Sequence, residues 1–274
     1  MLLLALLAAP VLSADAPDVN DIVRKAITRE VNNQRRLANY TWEQKSVERM
    51  LGDAGELKKT EVRVWEHLNL DGTSYRKLTE KDGKPLPAQE ARKEQEKMDR
   101  EIARRKSESA SKRQERVREQ QKREKEAIEM REEVMHAFQF RLEGSEKING
   151  FDAWKIAGEP RADFKAKSRE GKMLSKIRGK IWVEKQSNVW LRFEVVTLDK
   201  LTFGGFLASI GQGATLSAQQ MRVNDELWHP EWFRIRLNAR ALLKKFNADV
   251  EESFRGFRKF QTESRIVETA EVDK

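Results

Sequence analysis

The chain has 274 residues, of which 36% are charged and 38% hydrophobic, and its formal net charge is +9. That length can bury a real core in one large domain or two small ones, and the basic balance suits nucleic acid, an anionic membrane surface or plain solubility without choosing among them. Cysteine is absent, which excludes disulfides, thiolate metal sites and a cysteine nucleophile.

The opening "MLLLALLAAPVLSADA" is an apolar run of about a dozen residues ending in small ones. It is too short to span a bilayer but has the length of a signal-peptide core, although a basic n-region is missing. Val11 and Ser13 fit the −3/−1 positions of a cleavage site; Ala14 and Ala16 also fit, but Pro17 would then follow the cut. The alternative is a buried N-terminal helix, because the run has no polar face. No cysteine follows it, so it is not a lipoprotein signal. We read residues 1–16 as a signal peptide, and residues 17–270 as one exported, periplasmic domain interrupted by residues 88–137.

From Asp18 the pattern turns helical: Val19, Ile22, Val23, Ile27, Val31 and Leu37 fall on one stripe, Asp18 or Asn20 can cap it, and it ends near Asn39. Strands follow. "YTWEQKSVERML" and "ELKKTEVRVWEHLNL" flank the turn "GDAG", "DG" at 71–72 makes a second turn, "TSYRKLTE" is a third strand and "KDGKPLP" ends the meander.

Residues 88–137 have almost no apolar side chain in their middle. Glu96–Arg100, Glu101–Arg105, Glu108–Lys112 and Glu119–Arg123 each place an acid four residues before a base, worth about 0.2–0.5 kcal/mol per pair on an exposed helix. A heptad seam that begins at Ala91 and Met98 fails at Arg105 and Lys112. The expectation is one long solvated helix, partly disordered near "SESAS", with an apolar face returning at Ile128, Met135 and Phe138.

Strands then resume. "FQFRLEGSEKINGFDAWKIAGEPR" is a hairpin around "EKINGF", "KIWVEKQSNVWLRFEVV" is the next, and "LTFGGFLASIGQG" is apolar and glycine-rich. "TLSAQQMRVNDELWHPEWFRIRLNARALL" is a third hairpin, turned at "ND" or at His229–Pro230, and "VEESFRGFRKFQTESRIV" closes the sheet. The fold class predicted is α+β: a single large curved antiparallel sheet of about eight to ten strands, an incomplete β-barrel. An N-terminal helix and a central helix cover it, and a long charged helical stretch interrupts it.

In the second of these hairpins Ile181 and Val183 alternate with Trp182 and Glu184, and Leu191, Phe193 and Val195 alternate with Trp190, Arg192 and Glu194. Three readings of the tryptophans stay open. Trp182 and Trp190 form an outward cross-strand pair, or a contact site for a partner or lipid surface, or the faces are reversed and they line the interior.

Order and texture of these segments resemble the bacterial outer-membrane lipoprotein-sorting (LolA-like) fold. The stretches that carry the resemblance are "YTWEQKSVERML…VRVWEHLNLDGTSYRKL", "INGFDAWKIAGEP" and "GKIWVEKQSNVWLRFEVV", with Glu184 where that family commonly has aspartate. It covers roughly residues 18–80 and 134–268. The resemblance implies an incomplete barrel around an apolar cavity, lidded by helices, that holds acyl chains and carries no catalytic residues. Residues 88–137 depart from it, being longer and more charged than a lid helix.

Other motifs yield less. Acids nearly match bases in the charged stretch and no aromatic is interleaved, so it reads as a spacer or a protein-docking arm rather than a nucleic-acid site. "FGGFLASIGQG" lacks the GK[ST] ending of a phosphate loop and reads as a buried connection or a mobile apolar loop. His67, His136 and His229 show no metal-ligand spacing, and no G-x-S-x-G elbow is present. The sequence therefore predicts a non-enzymatic envelope protein without cofactor or metal. Its apolar ligand, such as lipid or lipoprotein acyl chains, would be lined by Ile181, Val183, Leu191, Phe193, Phe233, Ile235 and Leu237. A protein-interaction or sensor module working through the charged helix is the alternative, with peripheral membrane contact possible for either and no nucleic-acid partner.

Overall fold

A computed structural model describes residues 17–37, 39–70, 73–168, 171–203, 207–241, 244–261 and 265–269. Helix α1 (Val19–Leu37) leads into a meander, β1 (Tyr40–Leu51), β2 (Leu57–Leu70), β3 (Thr73–Lys81) and the short β4 (Lys84–Pro85). Two helices follow, α2 (Ala88–Lys106) and α3 (Ala110–Ala137), then β5 (Phe138–Ile148) and β6 (Phe151–Pro160). A single turn of helix, α4 (Gly171–Leu174), precedes β7 (Ile177–Glu184) and β8 (Trp190–Thr197). The remainder is β9 (Leu201–Phe203), β10 (Ala208–Ile210), β11 (Thr215–Val223), β12 (Leu227–Ala241), β13 (Lys244–Gln261) and β14 (Arg265–Thr269). The turn at 71–72 and the apolar run 1–16 lie outside the described residues.

Local chemistry sets the turns. Asp82–Gly83 and Asn149–Gly150 each join two strands through two residues with positive φ (49° and 75°, 47° and 84°), the geometry that matches strand twist in a tight hairpin. Asn224 and Asp225, also at positive φ (47° and 54°), turn the chain with Glu226 in a three-residue loop between β11 and β12. The hairpin therefore turns at "ND", and His229–Pro230 lies within β12 rather than in a turn.

All strands belong to one antiparallel sheet, whose main path runs β4-β3-β2-β1-β13-β12-β11-β8-β7-β6-β5. The long β13 pairs with β1, so the first and last thirds of the chain meet in the middle of the sheet. Its two ends, β4 and β5, are not paired to each other; the sheet is open, in keeping with an incomplete barrel.

This order explains residues 88–137. They leave one edge of the sheet at β4 and return at the other as β5. Eleven strands on the path at a spacing of about 4.8 Å separate the edges by tens of ångströms along the sheet. Helices of 19 and 28 residues, at about 1.5 Å per residue, have the length to make the crossing. The expected single helix is two, because Ser107 closes α2 and Ser109 opens α3, its hydroxyl accepting the Lys112 N–H. Of the predicted ion pairs, Glu101–Arg105 closes at 2.7 Å, whereas Glu96 takes Arg92 and Glu108, in the break, takes Arg116. The side chain of Ile128 lies outside the described residues, while Met135 packs with the α1 core and Phe138 begins β5.

Helix α1 is capped by Asp18, whose carboxylate accepts the N–H groups of Asn20 (2.9 Å) and Asp21 (3.2 Å). Its buried stripe, Ile22, Val23 and Ala26, packs on Ile156 of β6 and Val183 of β7, with Leu142, Trp154 and Ile181 around them. Directly opposed residues share a sheet face, so Leu142, Ile156 and Ile181 lie in one row under the helix. The other face at this point holds a separate cluster of Ile148, Ala153, Trp182 and Leu191.

A bulge settles the tryptophan question. Trp182 opposes Arg192, but the next pair is Val183 with Trp190, leaving Leu191 as the extra residue. Leu191 therefore turns to the Trp182 side, and Trp190 turns to the α1 side beside Phe193, ring centres 5.2 Å apart. The two indoles are not a cross-strand pair. Trp182 is only 3% exposed although no described helix packs on it. Its ring lies between the Lys155 ammonium (5.3 Å) and the Arg192 guanidinium (5.2 Å), and its N–H donates to Glu146.

Candidate ligand-binding face

The α1-bearing face extends well beyond the helix. Strand register carries the row of Ile181 on through Phe193, Ala218 and Phe233. The adjacent row runs Gly179, Val195, Leu216, Ile235 and Val250. One row further, Leu237 opposes Ala248. Alternation on β8, β11, β12 and β13 thus builds one continuous apolar strip. Phe193, Val195, Phe233, Ile235, Leu237 and Val250 are half-buried, and Leu216 is 37% exposed. A trough of about 560 Å³ beside Gly179 opens on the opposite face, where Lys180, Glu194 and Ser217 form one row and Arg178, Val196 and Thr215 the next. A Cβ on Gly179 would come within 2.7 Å of the Glu194 carbonyl oxygen, so glycine is required there.

The structure divides the seven candidate lining residues. Phe193, Phe233, Ile235 and Leu237 come together on the open strip. Ile181 and Val183 share the face but are filled over by α1, and Leu191 belongs to the opposite face. Val195, Leu216 and Val250 were missed by the sequence-based selection. Their alternation is visible in "WLRFEVV", "TLSAQQ" and "ADVEE", but only the register shows that they continue the Ile235 row.

Polar groups bound the strip toward β1 and β2. Glu252 follows Phe233 in its row, its carboxyl raised above the usual range by burial, and it accepts from the Gln44 amide. The Gln44 carbonyl accepts from His67 Nε2–H at 2.5 Å, which leaves Nδ1 as the bare, buried nitrogen of the ring. His67 stacks on Trp42 with ring centres 4.8 Å apart. Burial, with Arg76 nearby, lowers its pKa to about 4. His229 donates from Nδ1–H to the Pro230 carbonyl at 2.8 Å and meets Phe254 and Phe257 edge-on, and burial lowers its pKa to about 4 as well. Both rings are neutral at physiological pH, His229 buried and His67 partly buried. Among the described residues no group of three His, Asp or Glu side chains is placed to hold a metal ion.

A second concavity, about 330 Å³, lies beside α1 at the end of the sheet where Trp190, Trp228, Arg29 and Arg36 meet. Its charged groups are engaged by the protein. Arg29 donates to the Ser187 carbonyl (3.1 Å), Arg36 to the Glu226 carbonyl, and the Glu226 carboxylate accepts from Tyr40 and from Lys259 (2.8 Å). Glu184 accepts the Gln186 N–H (3.0 Å) and the Ser187 N–H, which fixes the β7–β8 turn. Gln220 is oriented to donate to the Trp190 carbonyl (2.9 Å) and to accept its indole N–H (3.2 Å).

No family model and no curated protein matches the sequence. Among solved structures, a DUF1329 family protein from Desulfovibrio piger is similar at 10% identity over 90% of this chain and 96% of that one, with a TM-score of 0.33. A putative outer membrane lipoprotein-sorting protein domain from Vibrio parahaemolyticus is similar at 14% identity over 89% and 95%, TM-score 0.33. A LolA superfamily protein from Nitrosomonas europaea is similar at 9% identity over 90% and 94%, TM-score 0.31. The lipoprotein-sorting fold that the sequence resembles is among these neighbours.

Proposed function

We propose that this chain is an exported, non-enzymatic envelope protein that holds an apolar ligand, the acyl chains of a lipid or lipoprotein, along the open strip. One observation carries the proposal: Phe193, Phe233, Ile235 and Leu237 form contiguous apolar rows on the face that α1 covers elsewhere, and no described residue covers them here. Contiguous apolar surface of this kind marks a binding site more often than a resting surface. The lining in this proposal is Phe193, Phe233, Ile235 and Leu237 with Val195, Leu216 and Val250; Ile181 and Val183 act as the seat of α1.

Native mass spectrometry of the protein, purified from an expressing cell without detergent, tests this. A mass excess that organic extraction identifies as lipid, and that Phe233→Ser with Ile235→Ser removes, supports the proposal. An apo mass that does not change when lipid is offered rejects it. The interaction-module alternative rests on α2, which has no buried residue and presents its charges to solvent. Because α2 and α3 join opposite sheet edges, deleting them would disturb the sheet itself. Neutralising the exposed Lys93, Arg100 and Arg113 is the cleaner test: loss of a partner protein with ligand retained would favour that alternative.

A further inference from the structure

At the end of the sheet where β1 turns into β2 and β12 into β13, the two faces differ sharply in chemistry. Arg240 and Lys245 are direct cross-strand partners, with Ser209 on the other side of Arg240. With Lys200 they line a cleft of about 300 Å³ that contains one carboxylate, Asp53. Among the described residues no acid pairs with Lys200, Arg240, Lys244 or Lys245. Like charges set directly opposite each other on a sheet are destabilising, so this arrangement carries a standing repulsion that a bound anion would relieve. The neighbouring rows point the other way and are mainly apolar: Ala239 opposes Phe246 and Ile210, and Ala241 opposes Ala208 and, at the edge, Lys244. Large apolar side chains stand exposed at this same end, Leu207 at 53%, Phe246 at 36% and Leu57 at 60%.

We propose that this end of the sheet docks on an anionic lipid bilayer, with Leu207 and Phe246 entering the headgroup boundary and Lys200, Arg240 and Lys245 meeting lipid phosphates. An apolar face edged by cations is the arrangement that holds an element in a membrane interface. The cations argue for a lipid surface over an apolar protein partner, because they need an anionic counterpart at the level of the exposed leucine and phenylalanine. Among the described residues no helix is long and apolar enough to cross a membrane. The acyl-chain proposal and this one use different side chains, and either can fail alone.

Sedimentation of the full chain with vesicles tests the proposal. Vesicles of phosphatidylcholine alone are expected to leave the protein in solution, and vesicles containing phosphatidylglycerol to carry it down, less so as salt is raised. Arg240→Gln with Lys245→Gln should weaken that binding by roughly twenty-five-fold, about fivefold for each cation. Leu207→Ser with Phe246→Ser should remove the part of the binding that survives salt. Lys93→Gln with Arg100→Gln on α2 removes the same charge elsewhere and should change little. Circular dichroism checks that each variant is folded. Equal loss from both charge pairs would show a net-charge effect and overturn the proposal, as would no vesicle binding by the native chain. Binding of inorganic phosphate without binding of vesicles would make the cleft a small-anion site and also overturn it. A chain that sediments with these vesicles but carries no lipid in native mass spectrometry keeps this proposal and loses the acyl-chain one.

Discussion

Ile156 and Val183 have no solvent contact beneath α1, whereas Phe233 and Ile235, on the same face of the same sheet, remain partly open. Both regions were written with the same alternation, and the residue types are interchangeable. The difference lies in what reaches them. The 19 residues of α1 cover β5 to β7, and its C-terminal end passes toward Tyr40 and the Trp42 cluster rather than over the middle of β12. Side-chain alternation specifies an apolar face; it does not specify whether the protein or a ligand completes it.

The largest expected effect separates the two regions directly. Ile156→Ala should lower unfolding free energy by about 2–5 kcal/mol, because a fully buried side chain leaves a cavity that the helix cannot refill. Ile235→Ala should cost roughly 1 kcal/mol or less, in proportion to the smaller area it withdraws from water. Urea denaturation of the two variants measures both. Equal costs would mean that the open strip is covered in solution, and the binding proposal would lose its basis.

Acid should act next, through the histidines that border the strip. Both have folded pKa values lowered to about 4 against about 6.5 in the unfolded chain. The unfolded state therefore binds more protons between those values. Stability is fully present above pH 6.5 and falls as pH drops toward 4, by at most about 1.4 kcal/mol per pH unit for a fully buried ring such as His229. Glu252, raised by burial, works in the opposite sense: its contribution is fully present below the unfolded carboxylate pKa and fades as pH rises through its folded value. Denaturation midpoints across this range should fall on the acid side, and His229→Phe should flatten the profile; a native profile already flat would rule out buried neutral histidines.

The smallest effect concerns the connection between the sheet edges. Ser109→Ala removes the cap of α3, whose 3.4 Å hydrogen bond places the expected loss near the low end of the range, about 0.5 kcal/mol. Amide exchange should quicken at the start of α3 while the amides of β6, β7 and β12 stay protected. Faster exchange in both sheet regions would show that α2 and α3 hold the sheet's shape rather than only joining its edges.

Much of the fold was legible. "YTWEQKSVERML" is β1 residue for residue, "NG" at 149–150 and "ND" at 224–225 turn the chain where their φ preferences dictate, and Asp18 caps α1. Four of the seven residues proposed to line a site do share an open face. What misled was register. The bulge opposite Trp182 moves Leu191 to one side and Trp190 to the other, and nothing in "SNVWLRF" marks it, because a bulge arises from the fit between two strands. Histidine 229 next to proline suggested a turn, yet Pro230 is accommodated in β12 at a register shift opposite Gln219–Gln220, where the ladder can spare an N–H.

The sequence by itself determined the elements, their turns and the fact that most strands have an apolar side, since these follow from local propensity, φ preference and period. It also determined that the first part of residues 88–137 would be helical and solvated, because its acids and bases leave no stripe to bury, whereas the end of α3 packs through Met135 and Ala137. Only the tertiary structure decided that this stretch joins opposite edges of one sheet, that α1 fills half of the apolar face and leaves the other half open, and that cations and exposed apolar side chains meet at one end. Those facts depend on which strands pair and how far a helix of fixed length can reach. Both are set by contacts between residues far apart in the chain, which no local pattern encodes.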